Sequence, residues 1–385
     1  MLTSPDRRDS DSIKWKLFAK PGKDILPMWV ADMDFTSPQP VLDAMHERID
    51  HGVFGYSLAP DSLTDTVTHY LKRQHGQSVQ ARALVWLPGL VPALSVVSRA
   101  VGEPDDEVMI MTPVYAPFFS APADGGKQCI EAPLARDEVS GTYHIDLETL
   151  ERKVTPKTKL LVLCNPHNPV GRAFSYEEVE AVATFCAERD IILCSDEIHC
   201  DLILDDIKHT TAIQFEGHKG LRTITLMAPS KTYNIAGLGL SYAVIPDASL
   251  RTAFRKAMGG YVPHPSPLSY VAAEAAYKHG EPWRQELLTT LRANRDLLER
   301  EINAIPGLRM AHLEATYLAW IDCSELKIDP STSLHSFFLD QAGIAFSKGS
   351  DYGDSHFIRM NFGCPTSTVE DALDRMRKAI GALGN

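Results

Sequence analysis

The sequence has few cysteines, and they lack the arrangement of a disulfide framework or a zinc site. Their number is odd and none forms a Cys-x-x-Cys pair; the seven are Cys129, Cys164, Cys186, Cys194, Cys200, Cys323 and Cys364. Several lie in apolar runs, where cysteine packs as a small hydrophobic residue. We therefore expect a protein of a reducing compartment with no disulfide framework and no metal site.

Long hydrophobic runs and an excess of positive charge are also missing. No stretch approaches about 18 apolar residues, and the opening MLTSPDRRDSDS lacks the apolar core of a signal peptide. The 50 acidic residues outnumber the 38 basic ones, which gives a net charge of −12. Such a surface repels phosphate backbones and anionic lipid, although it is also typical of any well-dissolved protein. We expect a cytoplasmic protein with no nucleic-acid or membrane partner.

Short apolar runs alternate with helical patterns through the middle of the chain, and they are typical of buried strands. The five runs are Val108–Met111, Leu160–Cys164, Ile191–Cys194, Ile224–Met227 and Tyr242–Ile245. Between the second and third, Ser175 and Glu178 have the spacing of a capping box at the start of a helix. Strand, helix and strand in this order predict a right-handed βαβ unit. The predicted fold class is α/β, with a mostly parallel sheet and helices on both faces.

The last third of the chain has a different pattern, which indicates a smaller α+β domain. Strand-like runs at Tyr317–Ile321 and Phe357–Met360 lie between two helical patterns. Apolar residues mark one face of each helix: Leu287, Leu291, Leu298 and Ile302 after Pro282, and Val369, Leu373, Met376, Ile380 and Leu383 near the C-terminus. We expect a large domain over residues 46–280 and a small one made of residues 1–45 and 281–385.

Two of the predicted strands lead into segments with a reactive or charged residue. Lys231 lies in APSKTYNIAG, after a strand, where α/β proteins bind ligands. Its amine can form a Schiff base with an aldehyde, and burial makes such an amine nucleophilic. Asp196 lies in CSDEIH, and a buried carboxylate there needs a cationic partner such as a protonated ring nitrogen. A surface lysine and a helix-capping aspartate are the alternatives.

Two further segments can hold polar parts of a ligand. Asn168, in CNPHNPVG, can donate a hydrogen bond to a phenolate oxygen, or the Asn-Pro pairs form turns only. Gly89, in LPGLVPALS, precedes a helix whose free N–H groups can bind a phosphate. A glycine before a helix is common, so this segment is weak evidence by itself.

In their order and spacing, the four segments resemble the fold-type I pyridoxal-phosphate enzymes, the aspartate-aminotransferase-like superfamily, over almost the whole chain. The resemblance implies that pyridoxal 5'-phosphate is held by Lys231, with Asp196 at its ring nitrogen and Asn168 at its ring oxygen. Backbone N–H groups of Gly89 and Leu90 match phosphate-binding positions.

The resemblance extends to four more residues. Ser230 matches a further phosphate-binding position, and Tyr115, in TPVYAP, matches an aromatic residue that stacks on the cofactor ring, unless it is ordinary core packing. Arg359, in FIRMNFG, matches an arginine that holds the substrate carboxylate through two parallel hydrogen bonds, unless it forms a structural ion pair. Tyr56, in FGYS, matches a tyrosine that reaches the cofactor phosphate of a second subunit, which implies a homodimer with shared active sites.

Finer motifs are similar to one branch, the cystathionine β-lyase or cysteine-S-conjugate β-lyase group, also called the MalY/PatB group. They are PMWVADMDF with Trp29, DEIH with His199, NPHNPVG, and RMNFGCP. His199 stands where many aminotransferases have a tyrosine for the ring oxygen, and Trp29 is expected near the substrate. Gly239 stands where many relatives have Arg or Lys, so phosphate binding must depend on backbone N–H groups, Ser230 and Tyr56. Thr366 departs from the group, which often has arginine there.

The resemblance implies β-elimination from a cysteine S-conjugate such as L-cystathionine, giving a thiol, pyruvate and ammonia, with Lys231 as general base. A class I/II aminotransferase with a keto-acid substrate is the alternative, because one fold hosts many reactions. A third interpretation is a catalytically silent regulator, in which Lys231 or Asp196 would be expected to be missing. The segment 347–355 is polar and glycine-rich and is expected to shape the pocket wall.

Overall fold

The apolar runs form strands of two sheets and one hairpin in the computed structural model, which describes residues 2–384. The strands are β1 (Leu26–Met28), β2 (Leu84–Leu87), β3 (Glu107–Thr112), β4 (Gln128–Pro133), β5 (Ala135–Arg136), β6 (Tyr143–His144), β7 (Thr158–Cys164), β8 (Ile192–Asp196), β9 (Thr223–Met227), β10 (Ser241–Val244), β11 (Arg309–Met310), β12 (Leu318–Asp322), β13 (Ile344–Lys348) and β14 (Phe357–Asn361). All seven strands predicted from the sequence are present, with ends that differ by one or two residues.

Helices occupy most of the chain between the strands. They are α1 (Ile13–Lys16), α2 (Gln39–Asp50), α3 (Asp61–His75), α4 (Leu90–Ala100), α5 (Pro117–Asp124), α6 (Leu147–Lys153), α7 (Tyr176–Ala187), α8 (Ala248–Met258), α9 (Pro267–His279), α10 (Glu281–Ile302), α11 (Leu334–Phe337) and α12 (Thr366–Gly381). The capping box is present at the start of α7, because Ser175 and Glu178 accept each other's backbone N–H. No helix among residues 2–384 is both long and apolar enough to span a membrane.

The larger sheet has seven strands in the order β2-β10-β9-β8-β7-β3-β4. Only β10 runs antiparallel to its neighbours, and the other pairs are parallel. Successive residues of β7 belong to different cores: Leu160 and Val162 pack with α4 and α8, whereas Leu161 and Leu163 pack with α7. Helices therefore cover both faces, and the predicted α/β fold class is confirmed.

The smaller sheet has five strands in the order β1-β13-β14-β12-β11 and packs against α10 and α12. The predicted apolar face of α10 is buried in this core. The prediction that Leu383 continues the face of the last helix is wrong, because α12 ends at Gly381 and Leu383 is 40% exposed. Glycine ends helices readily, and the chain tightens into a 3-10 turn beyond it.

We propose the same division into a large and a small domain that the sequence indicated. The helix α2 spans the first boundary, between residues 45 and 46, and it packs against α9 of the large domain.

Candidate active site

A cavity of about 570 Å³ lies where the carboxyl ends of the large sheet face the small sheet. The parallel strands β7, β8 and β9 all end at this edge, so their following loops meet there. Ten of the predicted site residues line the cavity: Trp29, Gly89, Leu90, Tyr115, Asn168, Asp196, His199, Ser230, Lys231 and Arg359. Tyr56 does not, and its side chain is fully exposed.

Lys231 reaches the cavity from the loop after β9. Its Nζ donates a 2.7 Å hydrogen bond to the Ala31 carbonyl oxygen. Burial, together with the Arg359 cation, lowers the pKa of Lys231 to about 8. With this pKa, about a tenth of the amine is uncharged at pH 7, far more than for an ordinary lysine, and only the uncharged form is a nucleophile or a base.

Asp196 is the last residue of β8 and is buried. Its Oδ1 accepts a hydrogen bond from the Ile198 N–H at 3.1 Å. Among the described residues, no cation lies within ion-pair distance of this carboxylate. Burial raises the pKa of Asp196 to about 7. A buried carboxyl group with so few partners needs a cation to stay ionised, which suits a protonated ring nitrogen of a ligand.

Arg359 lies in the middle of β14 and is brought to the cavity by the small sheet. Ser347 of β13 is its cross-strand neighbour, and Trp29 directly follows β1, which pairs with β13. The guanidinium donates to the Asn168 Oδ1 at 3.0 Å, the Trp29 carbonyl oxygen at 2.8 Å and the Ser347 Oγ at 3.2 Å.

The charge of Arg359 is not neutralised by an acidic residue among the described residues. No carboxylate in residues 2–384 forms an ion pair with it, and its buried Nε has no hydrogen-bond partner. The guanidinium also lies over the Tyr352 ring, 4.7 Å from the centroid. A structural ion pair therefore does not account for this arginine, and its positive charge is available to a ligand carboxylate.

His199 and Tyr115 complete the wall near Asp196. Burial lowers the pKa of His199 to about 3, so the imidazole is uncharged. Its Nδ1 is buried and has no hydrogen-bond partner in the structure. Burial raises the pKa of Tyr115. Both side chains keep a polar atom beside the cavity, where a ligand can use it.

The start of α4 and the loop around Gly239 form one end of the cavity. Gly89 caps α4, and the first N–H groups of a helix have no partner within it. Ser230 adds a hydroxyl group. Gly239 has φ +62°, and a Cβ there would lie 3.0 Å from the Pro88 carbonyl oxygen. A side chain at this position is therefore disfavoured by both the backbone conformation and the available space.

The residues present fit pyridoxal 5'-phosphate. A helix N-terminus and a serine suit a phosphate, an unpaired buried carboxylate suits a cationic ring nitrogen, and a lysine of lowered pKa suits an aldehyde. The buried Nδ1 of His199 has no hydrogen-bond partner in the protein, so it is a further polar group that the cofactor can contact.

Sequence reasoning missed several residues of the outer wall. Phe18 contacts Trp29 edge to face, with ring centroids 5.3 Å apart, and lies 5.0 Å from the His335 ring. Lys348 and Asp351 line the same side, within the segment that the sequence indicated only as polar. No local motif marks Phe18 or His335, because they reach the cavity through tertiary packing.

Thr366 lies outside the cavity. It begins α12, and its Oγ1 donates to the Asn294 Oδ1 at 2.7 Å. The Asn294 amide in turn donates to the carbonyl oxygens of Phe362 and Cys364. Thr366 therefore supports the turn after β14 and does not contact a ligand in the cavity.

Comparisons with known proteins agree with this geometry. The model of the aminotransferase class I and II family matches residues 23–376. Cystathionine β-lyase PatB of Bacillus subtilis is 37% identical over 97% of this chain and 98% of its own length. The crystal structure of OvoB has a TM-score of 0.93, with 42% identity over 97% of each chain. The PLP-bound C–S lyase of Staphylococcus hominis has a TM-score of 0.90, with 31% identity over 98% of each chain.

The family match covers the strands, loops and helices that build the cavity, from β1 to α12. The chain belongs to the aminotransferase class I and II family.

Proposed function

We propose that the protein is a pyridoxal-phosphate-dependent C–S β-lyase that cleaves L-cystathionine or related cysteine S-conjugates to a thiol, pyruvate and ammonia. The observation that carries this proposal is the meeting of Lys231, Asp196 and Arg359 in one cavity of a chain similar throughout to a cystathionine β-lyase. The similarity to a PLP-bound C–S lyase supports the same reaction and cofactor.

When bound, pyridoxal phosphate supplies an electron sink for the electron pair left on Cα after its proton is removed. Lys231 would hold the cofactor aldehyde and then, as the free amine, take the Cα proton. Its lowered pKa favours the neutral amine that this role needs. Asp196, Asn168 and His199 would hold the ring, and Tyr115 would stack on it. Ser230 and the backbone N–H groups of Gly89 and Leu90 would hold the phosphate.

Arg359 would hold the substrate carboxylate, with Asn168 beside it. Its hydrogen bond to the Asn168 Oδ1 joins the arginine to a residue of the large sheet, so the carboxylate site and the ring site are fixed relative to each other. Trp29, Phe18 and His335 line the same cavity and would face the sulfur substituent. Their aromatic surfaces exclude water around the bond that breaks.

We also propose that the protein is a cytoplasmic homodimer. Tyr56 lies in an exposed segment with Val53, Phe54 and Leu58, all of them large hydrophobic side chains. An apolar exposed segment next to an aromatic hydroxyl suits a contact with a second subunit, whose phosphate site Tyr56 would complete. The seven cysteines are all free thiols, which supports a reducing compartment.

The test is pyruvate release from purified, cofactor-loaded protein given L-cystathionine without a keto acid. Sustained pyruvate with a matching amount of thiol is expected. No pyruvate, but conversion of the cofactor to its amine form that a keto acid reverses, would instead identify an aminotransferase. No response to either substrate would contradict both reactions and favour the silent regulator.

A further inference from the structure

A second group of buried polar side chains lies behind the active site. His75 ends α3, and Cys200 and Asp201 follow the loop that carries Asp196 and His199. One ligand atom of each residue lies within 4.8 Å of the others. None of the three lines the active-site cavity. The group brings together a nitrogen, a sulfur and a carboxylate oxygen, which is the donor set of many zinc sites.

One oxygen of the Asp201 carboxylate lacks a hydrogen-bond partner. Asp201 is 3% exposed, and its Oδ1 is buried without a hydrogen bond. Arg284 donates a hydrogen bond to the main-chain carbonyl oxygen of Asp201, at 2.9 Å, and none to its carboxylate. The other N–H groups of Arg284 bind the Glu281 carboxylate. Among residues 2–384, no cation forms an ion pair with Asp201. A buried carboxylate oxygen without a hydrogen bond is costly, and the neighbouring Arg284 charge, which acts on Asp201 through space, is already bound by Glu281.

Tyr70 and His209 lie next to this group of three residues. Tyr70 Oη lies 3.3 Å from His75 Nε2 and 3.9 Å from Cys200 Sγ, so the imidazole and the thiol share one polar neighbour. His209 faces His75 with ring centroids 5.6 Å apart, and its buried Nδ1 also lacks a hydrogen-bond partner. The other ring nitrogen of His209 is bound to Glu197 at 2.9 Å. A histidine oriented by a carboxylate in this way is typical of metal ligands.

We propose that His75, Cys200 and Asp201 bind a zinc ion, and that a shift of the His209 ring brings its free Nδ1 to the fourth ligand position. This site would revise the expectation of no metal site, which depended on the absence of Cys-x-x-Cys spacing. Binding converts the Cys200 thiol to a thiolate and releases one proton to solvent, with no change of oxidation state. Zinc–ligand bonds of about 2.0–2.3 Å require the ligand atoms to come within roughly 3.5 Å of one another. His75 is the least buried of the three and is the last residue of α3, so it is the ligand expected to shift.

The ion would tie the end of α3 to the segment directly after His199. That segment directly continues the loop with Asp196 and His199, which line the active-site cavity, so the ion would act as a structural support behind the site. Folding stability gained in this way depends on zinc concentration and needs no turnover.

The test uses the tag-free, cofactor-loaded protein, stripped with a chelator and then given zinc sulfate alone. Wild type is expected to keep about one zinc ion per chain after gel filtration. Its thermal unfolding midpoint should rise by several degrees when zinc is added. Cys200→Ser should bind zinc at least about 100-fold more weakly and lose the rise in the midpoint. The control Cys323→Ser removes another buried thiol, whose Sγ donates to the Ile321 carbonyl oxygen, and should bind as wild type does.

His75→Gln provides a second variant at a partly exposed position if Cys200→Ser fails to fold. It should also lose the zinc ion. Equal zinc contents in wild type and either ligand variant, or an unchanged unfolding midpoint of wild type with zinc, would overturn the proposal. These readouts do not involve the lyase reaction, so they stand apart from the proposed function.

Discussion

Each of the two sheets has a buried strand that ends in an aspartate, and the surroundings of the two aspartates shift their pKa values in opposite directions. Asp322 ends β12 of the small sheet, where burial acts to raise its pKa but hydrogen bonds from Ser324 and Arg136 together lower it. Asp196 ends β8 of the large sheet, where burial raises its pKa to about 7 and no protein cation pairs with it. A carboxylate satisfied by the fold stabilises it, whereas one left unsatisfied is available to a ligand.

The same contrast extends to the two sides of the cavity. The edge of the large sheet carries groups with lowered or raised pKa values, at Lys231, Asp196 and His199. The small-sheet side supplies the aromatic and charged wall, with Phe18, Trp29, Lys348 and Asp351. We infer that the first side performs the reaction and that the second selects the substrate.

The largest expected effect is that of Lys231→Ala. Turnover of every substrate should fall at least about 10⁴-fold, because the variant loses both the cofactor-holding amine and the general base. The measurement is pyruvate release together with the absorbance of the bound cofactor. Lys348→Ala, on the other side of the cavity, should lower kcat/KM at most about 10-fold and unequally between substrates. Full turnover by Lys231→Ala would show that the large-sheet edge does not perform the reaction.

The second test compares the two aspartates in cofactor-free protein. The raised pKa of Asp196 makes its contribution to stability largest below about pH 4 and removes it as the pH rises through about 7. Asp196→Asn should therefore gain stability relative to wild type between about pH 4 and pH 7, by up to about 4 kcal/mol. Urea denaturation at several pH values measures the difference.

Asp322→Asn is the matched control, with the opposite sign. The lowered pKa of Asp322 contributes stability that is present above its usual range and is lost as the pH falls. The protein carrying Asp322→Asn should therefore be less stable than wild type near neutral pH. If both substitutions shift stability in the same direction with pH, the contrast between the two carboxylates is wrong.

A smaller effect is expected from Arg359→Lys. Lysine cannot provide two parallel N–H groups, so kcat/KM should fall about 10²-fold, mainly through a higher KM. Because every amino-acid substrate has the carboxylate, L-cystathionine and L-cysteine should be affected alike. A loss confined to one of the two substrates would place Arg359 with the wall that selects the sulfur substituent.

The smallest effect is expected from Phe18→Ala. Removing this ring from its contact with Trp29 should change the ratio of kcat/KM for L-cystathionine to that for L-cysteine by about 10-fold. The absorbance of the bound cofactor should stay as in wild type, since Phe18 lies on the outer wall. An unchanged ratio would show that the small-sheet side does not select substrates.

The prediction from sequence succeeds where a functional residue lies at the end of a buried strand or in the loop directly after it. β7, β8 and β9 are continuous apolar runs, so Asn168, Asp196 and Lys231 are placed by strand ends and by the parallel register of the sheet. The capping box likewise depends on two residues three positions apart. The end of α12 was missed at Leu383, since helical periodicity alone does not show where a helix stops.

The sequence by itself determined the fold class, the strands of the large sheet and most of the residues around the ring and phosphate sites. Only the tertiary structure decided which side chains form the outer wall, that Thr366 lies away from the cavity, and that His75 meets Cys200 and Asp201. The physical reason is the range of the contacts. A strand end or a helix start is specified by neighbouring residues, whereas these groups come from segments far apart in the chain and meet only when the two sheets and their helices pack.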